Sequence, residues 1–445
     1  MARVKLADPR VEEALDLSTA RLRGHRLQAW EELSEVEELR RRGHDARMRV
    51  IDDLEAHVAR FTERVEALGG SVHLARTAEE ARAHVAGICR RADAKVVAKS
   101  KSMLSEEIGL NEGLEAAGVE VVETDLGDYI LQLAGDGPVH IIAPAIEKTA
   151  EDAARLFSEV EGREIPADLE ALTQAARRQL REAFGRADVG ITGANFGVSE
   201  TGSVCVIENE GNARLVSALP RVHVVLMGME RLVATLADLA VCLRLLARSG
   251  TGQKLTSYTT LITGPRRAGE ADGPEELHVV IVDNGRSGLV GGRYREMLAC
   301  IRCGACLNVC PVYRKTGGAA YGPVYSGPMG AVLAPLLVGL ERAPMLPHAS
   351  SLCGACTDAC PVKIPLHELL LELRTDLVER GVASRWERLG FSIWSWAWSG
   401  AFGYRLSTAL ARLGGPLGGL LGPGKAWSAG RTAPRLARRR YRDGR

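Results

Sequence analysis

Cys300-Ile-Arg-Cys303-Gly-Ala-Cys306-Leu-Asn-Val-Cys310-Pro311 is answered further along by Ser350-Ser-Leu-Cys353-Gly-Ala-Cys356-Thr-Asp-Ala-Cys360-Pro361. The first run has the C-x2-C-x2-C-x3-C-P spacing of a cubane [4Fe–4S] site. The second repeats it, with Ser350 where its first cysteine would stand. Cubane iron takes soft thiolate ligands, and two intervening residues let consecutive thiolates curl around one cluster. The x3 step and the proline then send the fourth cysteine to the neighbouring cluster. By that rule Cys300, Cys303, Cys306 and Cys360 hold one cluster. Cys310, Cys353 and Cys356 hold a second [4Fe–4S] cluster, whose cysteine set is incomplete and which is expected to pass to a [3Fe–4S] form on oxidation. Structural zinc favours two separated C-x2-C pairs with four ligands, and disulfides need an oxidising compartment. Seven cysteines in two such runs fit neither.

Working outward, residues 291–382 read as an all-helical ferredoxin-type dicluster domain. Residues 296–309 are compatible with a helix, a Gly/Pro-rich insert follows at 316–347, and Leu366, Leu369, Leu370, Leu373 and Leu377 restore a helical period. Residues 383–445 differ again, with Trp386, Trp394, Trp396, Trp398 and Trp427, five of the chain's six tryptophans, and a basic run at 431–445. A helical cap with a polar, frayed terminus is the simpler reading. A docking or membrane-interface surface is the other, because tryptophan and arginine favour both.

Upstream, residues 1–70 are helical: Val50, Ile51, Leu54, Val58, Phe61, Val65 and Leu68 mark one apolar face, which Gly69-Gly70 ends. From 71 to 290 short β-rich runs alternate with helices, which predicts an α/β domain with a largely parallel sheet. Strands are expected at 71–75, 95–100, 119–123, 140–143 and 221–227, with two closing strands at 258–264 and 277–286. Thr77-Ala-Glu-Glu80 has the form of a capping box. The stretch from Gly193 to Asn212 links two β-rich runs through glycines, Asn195 and Glu200. Such a loop is either a plain hairpin or an anion-binding nest. Ligands of doubly wound sheets sit beyond strand carboxyl ends, so Asn195, Glu200 and Arg286 are the candidate catalytic residues and are expected to line one cleft. His140, His223 and His278 fall in β-rich runs and read as hydrogen-bonded structural residues. Cys89, Cys205 and Cys242 read as core residues.

Composition bounds the function. The 445 residues and 46% apolar content suit about three domains. A net charge of +1 gives no field to recruit nucleic acid. The N-terminus lacks the apolar core of a secretory signal, and no apolar run reaches transmembrane length. A cytoplasmic protein is expected, with membrane association only as a peripheral contact or through partners.

Gly193-Ala-Asn-Phe, Glu200-Thr-Gly, Asn209-Glu-Gly-Asn, Gly273-Pro-Glu-Glu-Leu-His-Val-Val, Asp283-Asn-Gly-Arg and the two cysteine runs, in that order, resemble the bacterial lactate-utilisation iron–sulfur family across nearly the whole chain. The resemblance implies that residues 71–290 form a LUD domain of the ribose-5-phosphate isomerase/CoA-transferase-like fold. It also implies oxidation of L-lactate to pyruvate together with a CCG-type cysteine-rich protein and a smaller LUD protein. The chain departs from the expected pattern at Glu147-Lys148, where His-Lys would stand.

Two functions compete at this level. The subunit is an electron-transfer conduit for a partner that oxidises the hydroxy acid, or its LUD domain binds the 2-hydroxy acid and the clusters accept electrons directly. The absence of a flavin or nicotinamide fingerprint favours the conduit. A third reading, acyl or sugar-phosphate chemistry, leaves the clusters without a use.

Overall fold

The structure, a computed structural model, describes residues 9–322, 324–382 and 385–418. It divides into two compact units, Met1–Arg374 and Thr375–Arg445. In the first, three helices (Pro9–Glu31, Val36–Asp52 and Leu54–Ala67) precede ten strands. These are β1 (Ser71–Ala75), β2 (Val96–Lys99), β3 (Glu120–Glu123), β4 (Val189–Gly193), β5 (Phe196–Val198), β6 (Ser203–Glu208), β7 (Val222–Gly228), β8 (Leu232–Val233), β9 (Tyr258–Ile262) and β10 (Glu276–Val282).

Six strands form a parallel sheet in the order β1-β10-β7-β4-β2-β3. Parallel sheets are covered on both faces, and the central β7 accordingly has every residue buried. Val224 and Leu226 pack with Val85, Ile88 and Leu110 on one side. Val225 and Met227, one residue out of phase, pack with Val58, Phe61 and Val65 on the other. The Leu54–Ala67 helix thus presents the apolar face its period predicts, and Gly69 ends it with φ 88°.

A second, four-stranded sheet runs β8-β5-β6-β9, with an antiparallel β5–β6 hairpin at its centre. The expected strand at Tyr258–Ile262 joins this sheet beside β6 and does not close the main one. The strand expected at 140–143 is absent. The His140 imidazole accepts N–H bonds from Ile142 and Ala143, both at 3.1 Å, so a side chain turns the backbone away from an extended ladder. Thr77 caps its helix by accepting the Glu80 N–H, while the Glu80 carboxylate accepts from Arg76 and not from Thr77.

Close packing at β4 makes a stability prediction. A Cβ on Gly190 would lie 1.9 Å from the Val216 carbonyl oxygen of the helix covering β4. Gly190→Ala is expected to destabilise the first unit by about 2–3 kcal/mol, read from the urea midpoint under anaerobic conditions. An unchanged midpoint would mean that the covering helix gives way freely.

Beyond β10 the elements are short helices and turns, with longer helices at Gly327–Val338 and Leu366–Glu379. The amino-terminal helices pack onto this region. Arg40 donates to the carbonyls of Asp358 and Cys360, and Arg26 to that of Ala359. In the second unit, helices Arg385–Ser399 and Ala401–Gly418 form a hairpin with Trp394 stacked on Trp398 at 5.5 Å. Trp386 and Trp396 are exposed. Trp427 and the basic run 431–445 lie outside the described residues.

Candidate functional site

The two cysteine runs repeat in backbone as well as in sequence. Arg302 and Leu352, at matching positions, both take positive φ (59° and 54°). Gly304 and Gly354 do likewise, each preceding a short helix, Ala305–Asn308 or Ala355–Ala359. A left-handed residue is uncommon for arginine and leucine, and here it turns the N–H inward. The Arg302 N–H donates to Cys300 Sγ at 3.4 Å, and the Leu352 N–H donates to Ser350 Oγ at 3.1 Å. Ser350 therefore occupies the place of Cys300 in the second run. At the far ends Tyr313 N–H donates to Cys310 Sγ at 3.5 Å and Ile364 N–H to Cys360 Sγ at 3.3 Å.

Cys300, Cys303, Cys306 and Cys360 line one small cavity, walled mainly by the apolar Ile141, Ile301, Met329, Val362, Ile364 and Leu366, with Arg302 also in its wall. Burial pushes the Cys303 and Cys360 thiols up to about 12, and neighbouring cysteines of this set push further in the same direction. Cys306, also buried, is raised by burial and then by Cys300 and Cys303. Cys310 and Cys356 form the other group. Burial raises both, Cys356 to about 11, and Cys353 adds to each. Cys353 itself is exposed, while Cys310 and Cys356 are buried. Buried thiols resist ionising unless a cationic partner takes them as thiolates. Three of them and the half-buried Cys300 around one apolar void, with backbone N–H groups aimed at the sulfurs of Cys300 and Cys360, suit an iron–sulfur cluster. Arg26, Arg47, Arg231 and Arg302 stand within electrostatic reach of this first set and offset its negative charge.

A larger cleft, with about 1400 Å³ of empty space including its open mouth, lies at the carboxyl ends of the parallel strands. Lys101 follows β2, Asp125 follows β3, Asn195 follows β4, Glu230 and Arg231 follow β7, and Arg286 follows β10. Its wall includes Ile141, Arg302 and Cys303, which also wall the cysteine cavity. The two spaces are therefore one residue apart. A Cβ on Gly250, at the end of the Leu236–Gly250 helix, would lie 3.0 Å from the Cys303 carbonyl oxygen. Glycine there permits the close approach.

The three candidate residues of this domain fare differently. Asn195 lines the cleft, but its Oδ1 accepts the Ile207 N–H at 2.9 Å and its carbonyl accepts from Arg231. Arg286 also lines the cleft, yet it is 1% exposed and already paired. It donates to both Glu107 oxygens at 2.9 and 2.7 Å, and its Nε lies 2.8 Å from Glu230 Oε2. Glu200 is outside the cleft: it is exposed and accepts the Leu236 N–H at 3.2 Å, at the start of a helix. The expected single cleft of Asn195, Glu200 and Arg286 does not form, because Glu200 sits on the β5–β6 turn, away from the strand ends of the main sheet.

Sequence reading missed the charge network at this boundary. Glu230, fully buried, lies between Arg286 and Arg302, whose Nη2 is 3.2 Å away. Burial alone would raise the Glu230 carboxyl; Arg286, Arg302 and Arg231 outweigh it and hold it at about 2. Arg302 lies 4.3 Å over the Tyr325 ring, and the Tyr325 hydroxyl donates to Glu107 at 2.7 Å. Arg47 donates to the carbonyls of Glu230, Leu232, Leu298 and Ala299, tying an amino-terminal helix to β8 and to the approach to Cys300. Arg302 had a signal, its place inside a C-x2-C loop; Glu230 and Arg47 had none. His140 is fully buried, its Nε2 3.1 Å from Asn308 Oδ1 of the first cysteine run, and burial lowers it to about 4. It is a neutral structural link.

Comparison with known proteins agrees with both halves. Residues 58–282 match the LUD domain family, and residues 296–364 match the 4Fe-4S dicluster domain family. Lactate utilization protein B from Bacillus thuringiensis (strain Al Hakam) is 46% identical over 446 residues, covering 98% of this chain and 94% of the relative. The proteins of that name from Bacillus cereus (strain AH187) and Bacillus anthracis (strain A0248) match to the same extent. A crystal structure of a DUF162 family protein from Deinococcus radiodurans covers 52% of this chain and 98% of its own at 15% identity and a TM-score of 0.29, too distant a likeness to bear on the fold. With a parallel-sheet LUD domain, a 4Fe-4S dicluster domain and this identity over almost its whole length, the chain belongs to the lactate utilization protein B family.

Proposed function

We propose that this chain is the iron–sulfur electron-transfer subunit of a system that oxidises L-lactate to pyruvate. The observation that carries the reading is the gathering of Cys300, Cys303, Cys306 and Cys360, from both cysteine runs, around one apolar cavity. These four residues hold one [4Fe–4S] cluster, and Cys310, Cys353 and Cys356 hold the second, with Ser350 at its vacant corner. The clusters supply one-electron storage and transfer. The protein supplies N–H donors to the sulfurs, apolar walls and an arginine surround, the groups that set a potential. A CCG-type cysteine-rich protein and a smaller LUD protein are the proposed partners. The corresponding division is a helical segment to residue 70, a LUD domain at 71–290 related in fold to ribose-5-phosphate isomerase and CoA transferases, an all-helical dicluster domain at 291–382, and a tail. Among the described residues no helix is long and apolar enough to cross a membrane. A cytoplasmic place, with any membrane contact peripheral, fits this reading.

The test is anaerobic mixing of the purified holoprotein with L-lactate, alone and with the two partners, while the brown cluster absorption is followed. Bleaching only with the partners present supports the conduit. Bleaching by lactate alone favours the second reading, in which the LUD cleft holds the hydroxy acid; the presence of Cys303 in the wall of that cleft supports it.

Ser350 provides a separate prediction. A serine hydroxyl is a harder and far less acidic ligand than a thiol, so the iron beside it is held less firmly. Mild oxidation of the wild type is expected to give a three-iron electron paramagnetic resonance signal that shrinks at least severalfold in Ser350→Cys. Equal signals would remove Ser350 from the vacant corner.

A further inference from the structure

Among the described residues, the LUD cleft holds one cation whose donors are used in no hydrogen bond. Lys101 lines the cleft just beyond β2, and its Nζ is buried and makes no hydrogen bond among the described residues. Lys99, two residues earlier, shows the contrast: its ammonium is saturated by Ser105 at 2.7 Å, Glu106 at 3.1 Å and Glu123 at 2.7 Å. Arg286 and Arg302 share Glu230, and Arg231 donates to the carbonyls of Asn195 and Cys300. The Lys101 charge is felt by Asp128 and Glu210, but none of its three N–H donors is used in a hydrogen bond, so Lys101 is the group in this cleft best placed to donate to an anion.

The carboxyls near Lys101 narrow the choice of anion. Glu210 lines the same cleft and feels the Lys101 charge. Burial first, and Asp125 next, push the Glu210 carboxyl up from its ordinary range. One of its oxygens accepts the Leu126 N–H at 3.2 Å, which holds the side chain in place. A cation and a carboxyl that line one cleft complement a molecule with a carboxylate and an adjacent hydroxyl, the ammonium donating to the carboxylate and a carboxyl oxygen accepting from the hydroxyl. A simple carboxylate would use only half of it.

We propose that Lys101 and Glu210 form a binding site for a small 2-hydroxycarboxylate in the LUD cleft, Lys101 seating the carboxylate and Glu210 the hydroxyl. The site rests on the second reading above and shares a wall with the cysteine cavity through Arg302 and Cys303. Gly193 sets its floor: a Cβ there would lie 3.1 Å from Ser102 Oγ and 3.5 Å from the Lys101 carbonyl oxygen. The turn that carries the lysine thus packs directly on β4.

The test uses the anaerobically purified holoprotein, with L-lactate and propionate as probes, followed by calorimetry and by electron paramagnetic resonance of the reduced clusters. The wild type is expected to bind L-lactate at least tenfold more tightly than propionate. L-lactate is also expected to change the line shape of the cluster nearest the cleft. Lys101→Met should weaken L-lactate binding at least tenfold and abolish the spectral change at unaltered iron content, and Lys101→Arg should restore part of both. Glu210→Gln should reduce the preference for lactate over propionate while leaving propionate binding in place. Wild-type affinity in Lys101→Met, or no binding of L-lactate by the wild type, overturns the site. Should Lys101→Met lose iron through misfolding, Lys101→Gln is read by the same criteria. Loss of lactate-supported growth on removing a cluster cysteine, with no lactate bound by this chain, would leave the electron-transfer function standing and this site refuted.

Discussion

Cys306→Ala is expected to lose roughly half of the iron and all growth on L-lactate, because one of the two clusters loses a thiolate that nothing nearby replaces. Cys306 lies at the centre of the cysteine region. It is buried, lines the cavity with Cys300, Cys303 and Cys360, and also feels Cys356 of the other set. Losing it should loosen the surrounding fold too, since metal binding and folding are coupled where the site has little else to hold it. Cys242→Ala is the control: that thiol is buried in the Leu236–Gly250 helix, and burial raises it to about 11, but it lines neither cavity. Iron and acid-labile sulfide analysis of the two variants makes the comparison. Full iron content in Cys306→Ala, or a colourless wild type carrying stoichiometric zinc, would sink the ligand assignment.

The second large effect is expected at Glu230. Glu230→Gln removes the only carboxylate paired with Arg302 among the described residues and one of the two paired with Arg286. Breaking a buried pair on one side leaves uncompensated charge and costs about 3–5 kcal/mol. The measurement is anaerobic urea unfolding followed by circular dichroism. Its pH dependence has a definite sign. Glu230 is held at about 2, below its ordinary 4.5, so its contribution is fully present above about pH 4.5 and falls away as the pH drops towards 2. The gap between wild type and variant should close over that window. A gap independent of pH would assign the loss to packing and not to charge.

The residues behind these two predictions differ in how far they could be read beforehand. The cysteine runs were legible because cluster chemistry acts over a few residues of chain: ligand type and the x2, x2, x3 spacing are local properties. The α/β alternation was legible for a related reason, since burial on both faces of a parallel sheet leaves near-continuous apolar runs such as the one along β7. The strand assigned to 140–143 failed where local chemistry overrode that pattern, the His140 ring capturing the N–H groups of the residues after it.

Tertiary structure alone decided which charges remain open to a ligand. Arg286 looked available in sequence because its partners lie far away: Glu107 is on the helix after β2, and Glu230 is just beyond β7. Their convergence depends on the strand order β1-β10-β7-β4-β2-β3, which places the ends of distant segments side by side. Glu200 moved out of the cleft by the same logic, its hairpin belonging to a second sheet. Lys101 had no motif to mark it, and that its Nζ is buried without a hydrogen bond appears only in the packed structure. Spacing along the chain specifies which ligands can share a cluster, because a loop of two residues has few conformations. An ion pair between residues more than a hundred positions apart has no such constraint, and only the packed sheet determines whether a charge faces a partner or a cleft.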